Sequence, residues 1–377
     1  MAQEPRTAQP PRRVAEHSPR VPQHSSPVAQ QPRRRDPSID VLRIVAIVAV
    51  VAGHVWFAEP VRLATYTWHV PIFFVLSGYL ASRLRLGELV RRRALSLLLP
   101  YGAWLLVIAA LLVGFADPLR LLAGGAHLPH GFTAFWFVTA FFVAIVAAAA
   151  IERLALGWQW AIALALLGAG FLASDVIALV PFDAGVGLAC VVFVVAGRTL
   201  RIVQPSLTRP ATTGAVMLGV AVALIASGVS APLDLKQGDF GTPVVSVVTA
   251  ILISCGGILV AQGALARVGA RASAVISQLA LCGFMVVLTH AAVLSVLHGA
   301  GVPRWEAFAV ALVVPWAAAL LVLRTPLALV LCGVPRQRRH PLVAADAGAR
   351  SIRMDGAVRH TGTSSLRDSP SRVLSLR

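Results

Sequence analysis

Long apolar runs, many of them about as long as a membrane-crossing helix, alternate along the chain with short polar segments. The hydrocarbon core of a bilayer is about 30 Å thick and needs about 20 apolar residues of α-helix. The alternating ten-residue segments typical of membrane β-barrels are missing from the pattern. We therefore predict an all-α fold, a polytopic membrane protein of about ten transmembrane helices. The ten predicted spans, of which the second is short and the sixth is marginal, are 39–57, 70–82, 95–115, 133–151, 158–174, 185–200, 211–229, 243–261, 274–297 and 307–323.

Polar segments flank these spans. Residues 1–38 are rich in Pro, Gln, Ser and Arg, and residues 333–377 are rich in Arg. Such compositions bury too little apolar surface to fold, so both segments are predicted to be disordered basic tails around a ten-helix membrane domain, residues 39–332. The 38 polar residues before the first apolar run favour a retained signal anchor over a cleaved signal peptide.

Composition excludes an ordinary soluble domain. The chain is 57% hydrophobic and 13% charged, with a mean hydropathy of +0.78. Its four cysteines lie in or at the end of apolar spans and form no Cys-x-x-Cys pair, which predicts small core residues and no metal site or disulfide framework. They are Cys190, Cys255, Cys282 and Cys332.

The basic residues predict the orientation in the membrane. The formal net charge is +17, but aromatic residues do not interleave with the arginines, so nucleic acid is not an expected partner. Cytoplasmic loops carry an excess of Lys and Arg. With a cytoplasmic N-terminus, only Arg62, Arg120, Lys236 and Arg304 of 33 basic residues fall outside. This predicts a multi-pass protein of the plasma (inner) membrane with both termini in the cytoplasm, whose tails meet membrane lipid.

The first span contains three ionisable residues, Asp40, Arg43 and His54. Arg43 and His54 are eleven residues apart, close to three helical turns, so they share a face about 16 Å apart along the axis. Ionisable groups inside a membrane span usually face a protein interior where they act in chemistry or transport. Asp40 lies one turn before Arg43 and can pair with its guanidinium, and His54 suits proton transfer near neutral pH. The alternative is that Arg43 reaches the inner surface and His54 ends the helix.

The second span is preceded by His69, which falls on the same outer side as His54. Pro71 fits the first turn of a helix. Ser77 and Tyr79, around a glycine, interrupt the apolar run and are candidates to line a substrate site. The alternative is an aromatic anchor followed by a notch of small residues for helix packing.

Three arginines, Arg91 to Arg93, precede the third span. A cluster of this kind is typical of topology determination at a cytoplasmic helix start. The alternative is that Arg92 and Arg93 bind a phosphorylated substrate, because guanidinium groups pair with phosphate oxygens.

These motifs together resemble the integral-membrane acyltransferase-3 family. The resemblance rests on Arg43 and His54 with ten residues between them, on the stretch from His69 to Tyr79, and on the basic cluster before Pro100. The stretch around His69 is most similar to the branch related to fucose O-acetylases. The segment around Trp136 and the late helix ending in Val-Leu-Thr-His290 are also similar to family segments, over about residues 38–325. One departure is Ser96, where the family often has the second arginine of an Arg-x-x-Arg motif.

The resemblance implies a membrane enzyme that transfers an acyl group, usually acetyl from acetyl-CoA, to a hydroxyl of a sugar, glycan, glycosylated product or lipid acceptor. His54 and Arg43 correspond to its essential pair, with Asp40, His69 and His290 in support and Trp136 beside the acceptor. The alternative is that His290 is a core residue and that Trp136 is a packing or interfacial residue. No permanently bound cofactor is expected, and acyl-CoA enters as the donor substrate.

Two other functions fit the same residues. A proton-coupled transporter or exporter could use Arg43 and His54 as a relay, although no internal repeat of the kind found in many transporters is visible. A non-catalytic scaffold would instead depend on its tails. No feature of the sequence indicates an oligomeric state.

Overall fold

The computed structural model describes residues 35–113 and 118–336, and all the regular structure in these residues is helical. The all-α prediction is therefore confirmed for this part of the chain. The predicted tails lie outside the described residues, except for 35–38 and 333–336. The α-helices are α1 (Pro37–Val55), α2 (Glu59–Thr65), α3 (Pro71–Tyr79), α4 (Leu86–Arg93), α5 (Leu99–Ile108), α6 (Pro118–Ala123), α7 (Phe135–Ala150), α8 (Leu156–Leu172), α9 (Ser174–Ile177), α10 (Ala184–Ala189), α11 (Val191–Val203), α12 (Pro210–Ala226), α13 (Val245–Ala264), α14 (Ala270–Gly299), α15 (Arg304–Val322) and α16 (Ala328–Cys332).

Among the described residues, five helical stretches are long and apolar enough to cross a membrane, namely α1, α13, α14, α15 and the continuous run Leu86–Leu112 that contains α4 and α5. Pro181–Ala189 and Val191–Ser206 form a pair bent by 45°, which adds a sixth if it is one span. The part of the chain that the structure describes thus has the all-helical, apolar character of a membrane protein.

The number of spans remains a prediction. Each of the ten predicted spans falls on a helix, but α7, α8 and α12 have only 16 or 17 residues. The nine residues of α3 rise only about 14 Å, less than half of a bilayer core. α3 starts at Pro71, which has no backbone N–H to extend a helix backwards, and the irregular segment 81–85 follows it.

α1 lies inside the bundle, where it packs against α13, α14 and α15. Its first turn is capped by the carboxylate of Asp36, which accepts a hydrogen bond from the backbone N–H of Ser38 at 3.0 Å. Halfway along α1, Ile47 packs into a notch at Gly283 of α14, where an added Cβ would lie 2.3 Å from the Ile47 side chain. This close contact fixes which face of α1 meets α14.

α3 crosses α11 at two glycines, Gly78 and Gly197. A Cβ on Gly78 would lie 1.9 Å from the carbonyl oxygen of Val194, and one on Gly197 would lie 1.9 Å from that of Val75. Helices approach this closely only where both lack a side chain at the contact. The glycine crossing therefore holds the short α3 deep in the bundle.

Aromatic side chains of α3, α7 and α11 form the centre of the core. The Phe74 ring meets the Phe137 and Phe141 rings edge-on, at centroid distances of 5.8 and 5.2 Å, and Phe137 stacks on Phe141 at 5.2 Å. Phe193 of α11 closes the group from the other side. The Phe74 ring, in the middle of α3, is thus in contact with aromatic rings of both α7 and α11.

Candidate active site

A cavity of about 570 Å³ opens at the end of the bundle that the charge pattern predicts to face outward. It is formed by the last turn of α1, the segment before α3, the start of α7, the loop between α12 and α13, and the second half of α14. Its polar and aromatic lining includes His54, Tyr66, His69, Phe73, Trp136, Phe137, Asp234, Lys236 and His298.

His54 lies in the last turn of α1, which ends at the extended residue Trp56. Its half-buried side chain faces the cavity and also lies beside the ring of His290 on α14, with centroids 5.2 Å apart. A basic nitrogen is thus presented to the cavity at the edge of a packed core.

His290 and His69 are both buried, and their hydrogen bonds define their tautomers. Nδ1 of His290 lies 3.0 Å from the carbonyl oxygen of Val286, and Nδ1 of His69 lies 2.6 Å from that of Thr65. A carbonyl oxygen can only accept, so each Nδ1 carries a proton, and the neutral form of each ring has its lone pair on Nε2. The buried Nε2 of His290 has no hydrogen-bond partner among the described residues. His54 is therefore accompanied by two further imidazoles, one beside it and one in the same cavity.

Arg43 lies at the other end of α1. Its guanidinium donates to the carboxylate of Asp40 at 3.0 Å, and the hydroxyl of Ser277 on α14 donates to the same carboxylate at 2.8 Å. Asp40 is 2% exposed and Arg43 is 33% exposed. The α14-facing side of α1 is thus polar at both ends, but the Ile47 contact at Gly283 makes its middle apolar.

Ser77 and Tyr79 lie away from the outer cavity. The Ser77 hydroxyl donates to the carbonyl oxygen of Phe74 within α3 at 2.7 Å. The Tyr79 hydroxyl donates to Gln204 at 2.6 Å and accepts from Gln262 at 3.0 Å. In this structure Tyr79 thus connects α3 to other segments, whereas Ser77 bonds within its own helix, and the role of both at a substrate site stays a prediction.

Arg92 and Arg93 are also outside the outer cavity. Arg92 forms an exposed ion pair with Glu88 at 2.5 Å, one turn earlier on α4. Arg93 is partly buried at the end of the same helix. Their assignment to a phosphorylated substrate remains a prediction.

Trp136 contributes to an aromatic wall of the outer cavity. Phe73 and Phe137 lie next to it, with ring centroids 5.4 Å apart. Tyr66 and His69 also line the cavity, and their rings meet edge-on with centroids 5.0 Å apart. Flat aromatic faces beside polar groups suit a ligand that has both apolar and hydroxyl-bearing surfaces.

The loop 233–237 also lines the cavity, and the sequence analysis did not predict this role for it. Leu233 and Leu235 are each 2% exposed and anchor the loop in the core, which leaves Asp234 and Lys236 to line the cavity. Burial raises the pKa of the Asp234 carboxyl, and the nearby charge of Arg62 opposes this shift. Burial also lowers the pKa of the Lys236 ammonium, and the charge of Asp234 opposes that shift. One signal was available, because Lys236 is the only lysine in the chain.

The site thus defines a membrane-embedded protein with a histidine at a cavity that aromatic side chains line in part. The sequence matches the acyltransferase domain of the acyltransferase-3 family over residues 36–333. The chain belongs to this family, and it is an acyltransferase that transfers groups other than amino-acyl groups. No curated protein and no solved structure matches the chain.

Proposed function

We propose that this acyltransferase moves an acyl group, acetyl in the first instance, from acyl-CoA to a hydroxyl of a sugar, glycan, glycosylated product or lipid acceptor. The observation that carries the proposal is the position of His54, which faces the outer cavity beside His290 and shares that cavity with His69. The branch related to fucose O-acetylases is the one that the stretch around His69 favours. The donor reaches the site from the cytoplasm and the acceptor from the outer side, in the plasma membrane.

His54 is the general base in this mechanism. Its imidazole accepts the proton of the acceptor hydroxyl while the hydroxyl oxygen attacks the thioester carbonyl. The C–S bond of the tetrahedral intermediate then breaks, and the departing thiolate takes the proton back from the imidazolium. Alternatively a ring nitrogen of His54 attacks the thioester carbonyl, the C–S bond breaks, and CoA leaves as the thiol with the ring N–H proton. The acceptor hydroxyl oxygen then attacks the acyl-imidazole, the C–N bond breaks, and the hydroxyl proton returns to the ring nitrogen. Neutral His290 supports the general-base route, because its Nε2 lone pair can accept a hydrogen bond from the imidazolium.

Arg43 acts at a distance from His54 in this scheme. About 16 Å of helix separates the two residues, so Arg43 cannot touch the group that His54 deprotonates. Held by buried Asp40, its cationic head stabilises negative charge on the donor as it enters from the cytoplasmic end.

The acceptor binds against the wall formed by Trp136, Phe73 and Phe137, with Asp234 and Lys236 at its polar groups. We expect Trp136→Ala to raise the KM for the acceptor by about two- to tenfold with a smaller change in kcat, because lost aromatic stacking contributes about 0.5–1.5 kcal/mol. The measurement is steady-state kinetics with varied acceptor. Trp158→Ala is the matched control, since Trp158 is 67% exposed on α8 and does not line this cavity. Equal KM values for the two variants would remove Trp136 from the acceptor site.

Mass spectrometry of cell-surface glycans, lipids and hydroxylated metabolites tests the proposed reaction. Cells that express the protein are expected to contain at least one species heavier by one acyl group than in matched cells without it. Isotope-labelled acetyl-CoA given to isolated membranes must label the same species. Flux of that species across vesicles without any acylated product would support the proton-coupled transporter instead.

A further inference from the structure

Acyl transfer at His54 creates a negative charge that neither His54 nor Arg43 stabilises. When the acceptor hydroxyl attacks the thioester, the carbonyl oxygen becomes an oxyanion, and enzymes of acyl transfer hold such an oxygen with fixed hydrogen-bond donors. His54 takes up the hydroxyl proton, and Arg43 lies about 16 Å away along α1. A donor for the oxyanion must therefore come from the lining of the outer cavity.

Lys236 is the only Lys or Arg among the described residues that line the outer cavity. Its ammonium forms no hydrogen bond or ion pair with another described residue, so all of its N–H donors are available to a ligand. The charge of Lys236 also acts electrostatically on His54. The ammonium and the proposed base therefore belong to one site.

The backbone that carries Lys236 is fixed in place. Leu235–Gln237 forms a single 3-10 turn, and the N–H of Gly238 donates to the carbonyl oxygen of Leu235 at 3.1 Å. Gly238 has a φ of +72°, and a Cβ there would lie 2.6 Å from the Ile177 side chain, so the position requires glycine. The buried side chain of Leu235 anchors the same turn in the core. A donor stabilises an oxyanion best when it is held in position before the reaction, and this turn meets that condition.

Two carboxylates favour the charged form of Lys236. Burial lowers the pKa of its ammonium, and the charges of Asp234 and Asp183 oppose that shift. Asp183 is 1% exposed and has a φ of +50°, directly after Phe182 at +59°. Such backbone strain in non-glycine residues is found mainly at functional sites. A lysine that served only to neutralise these carboxylates would pair with one of them, and the described residues contain no such pair.

We propose that Lys236 is a catalytic residue that stabilises the oxyanion on the thioester carbonyl oxygen when the acyl group is transferred at His54. This inference rests on the proposed function. The acceptor hydroxyl oxygen bonds to the carbonyl carbon, the π electrons of the C=O bond move to the oxygen, and the ammonium donates a hydrogen bond to it. The electron pair then re-forms the C=O bond, the C–S bond breaks, and the thiolate takes the proton from His54. Lys236 keeps its own proton throughout.

Lys236→Cys tests the assignment, because an ammonium can be rebuilt on the new thiol. Transfer from labelled acetyl-CoA to the endogenous acceptor in open membrane fragments is expected to slow by about 10²–10³-fold. Alkylation with bromoethylamine gives a side chain of nearly the length of lysine that ends in an ammonium, and it is expected to restore the rate by about tenfold or more. Iodoacetamide adds a neutral amide and is expected to restore little. The four native cysteines are buried, so treated wild-type protein should keep its rate.

Arg304→Cys is the matched control. Arg304 is exposed at the start of α15, on the side predicted to face outward, and does not line the outer cavity. This variant is expected to show the wild-type rate before and after each reagent. Lys236→Gln is expected to show the same loss as Lys236→Cys, so the result does not depend on the folding of one variant. Tyr66→Phe measures the competing donor, since Tyr66 also lines the cavity.

The infrared spectrum of the donor separates this role from a role in binding the acceptor alone. Acetyl-CoA with ¹³C at the thioester carbonyl is bound to purified His54→Ala protein, in which transfer is slow. The ammonium is expected to polarise the C=O bond, so that its stretching band lies at lower frequency than in solution. The double variant His54→Ala/Lys236→Gln is expected to lose this shift.

Four results would overturn the proposal while acyl transfer by the protein stands. They are an unchanged infrared band in the double variant, an equal loss of rate in Arg304→Cys, equal recovery of Lys236→Cys with both reagents, and a larger loss in Tyr66→Phe than in Lys236→Gln. Wild-type membranes that transfer no label from acetyl-CoA to any acceptor would remove the proposed function as well.

Discussion

His54→Ala is expected to lower the rate of acyl transfer by about 10²–10⁴-fold, the contribution of a positioned general acid–base group. The loss exceeds this range if His54 also carries the acyl group, since no other route to the acyl-enzyme then remains. The protein should still fold and insert, because His54 is half-buried and its side chain forms no hydrogen bond with another described residue. The measurement is transfer of labelled acyl groups by membranes that contain equal amounts of each protein.

The control for this variant is His127→Ala. His127 lies in the loop before α7, bonds the carbonyl oxygen of Leu179 at 3.1 Å, and does not line the outer cavity. Its replacement is expected to leave the transfer rate within about twofold of wild type, as for a surface change of less than about 0.5 kcal/mol. Undiminished transfer by His54→Ala would show that the acceptor hydroxyl loses its proton elsewhere.

Gly197→Val is expected to prevent stable assembly of the helix bundle. Even the first carbon of the new side chain would lie 1.9 Å from the carbonyl oxygen of Val75, and the contacting atoms are backbone, which cannot rotate away. Overpacking a core usually costs about 1–3 kcal/mol, and a clash with backbone at a helix crossing falls at or above the top of that range. Thermal unfolding and monodispersity of the detergent-solubilised protein measure the effect.

Gly219→Ala is the matched control for the crossing. Gly219 is also inside a helix, α12, but a Cβ there would meet nothing within 4 Å. Alanine is about 1 kcal/mol better than glycine in a helix interior, so this variant should be as stable as wild type or slightly more stable. If Gly197→Val unfolds at the same temperature as Gly219→Ala, α3 does not depend on the glycine crossing.

The helical class of the protein and the relative positions of the polar residues within α1 could be predicted from the sequence. Helical periodicity alone placed Asp40 one turn from Arg43, and the structure has that ion pair at 3.0 Å. The same periodicity predicts Arg43 and His54 on one face; in the structure Asp40, one turn from Arg43, and His54 each contact α14. Local geometry of one helix is set by neighbours three and four residues away, so it can be derived from sequence.

Features that join distant segments could not be derived in this way. Arg83, Arg153 and Arg198 come from three parts of the chain and line one cavity of about 1140 Å³. No spacing in the sequence indicates that these three residues lie together. The loop with Lys236 closes the outer cavity only because Leu233 and Leu235 find space in the core. Apolar periodicity also does not predict that α3 ends after nine residues. The position of α3 depends on its contact with Gly197, which belongs to another helix, α11.

The most direct test of the account is the fate of a labelled acyl group in sealed inside-out membrane vesicles. With acyl-labelled CoA outside these vesicles, wild-type protein is expected to place the label in ester linkage on a hydroxyl of an acceptor. His54→Ala protein at the same level is expected to leave the label on CoA. Equal labelling of the acceptor by both proteins would contradict a reaction centred on the histidine at the end of α1.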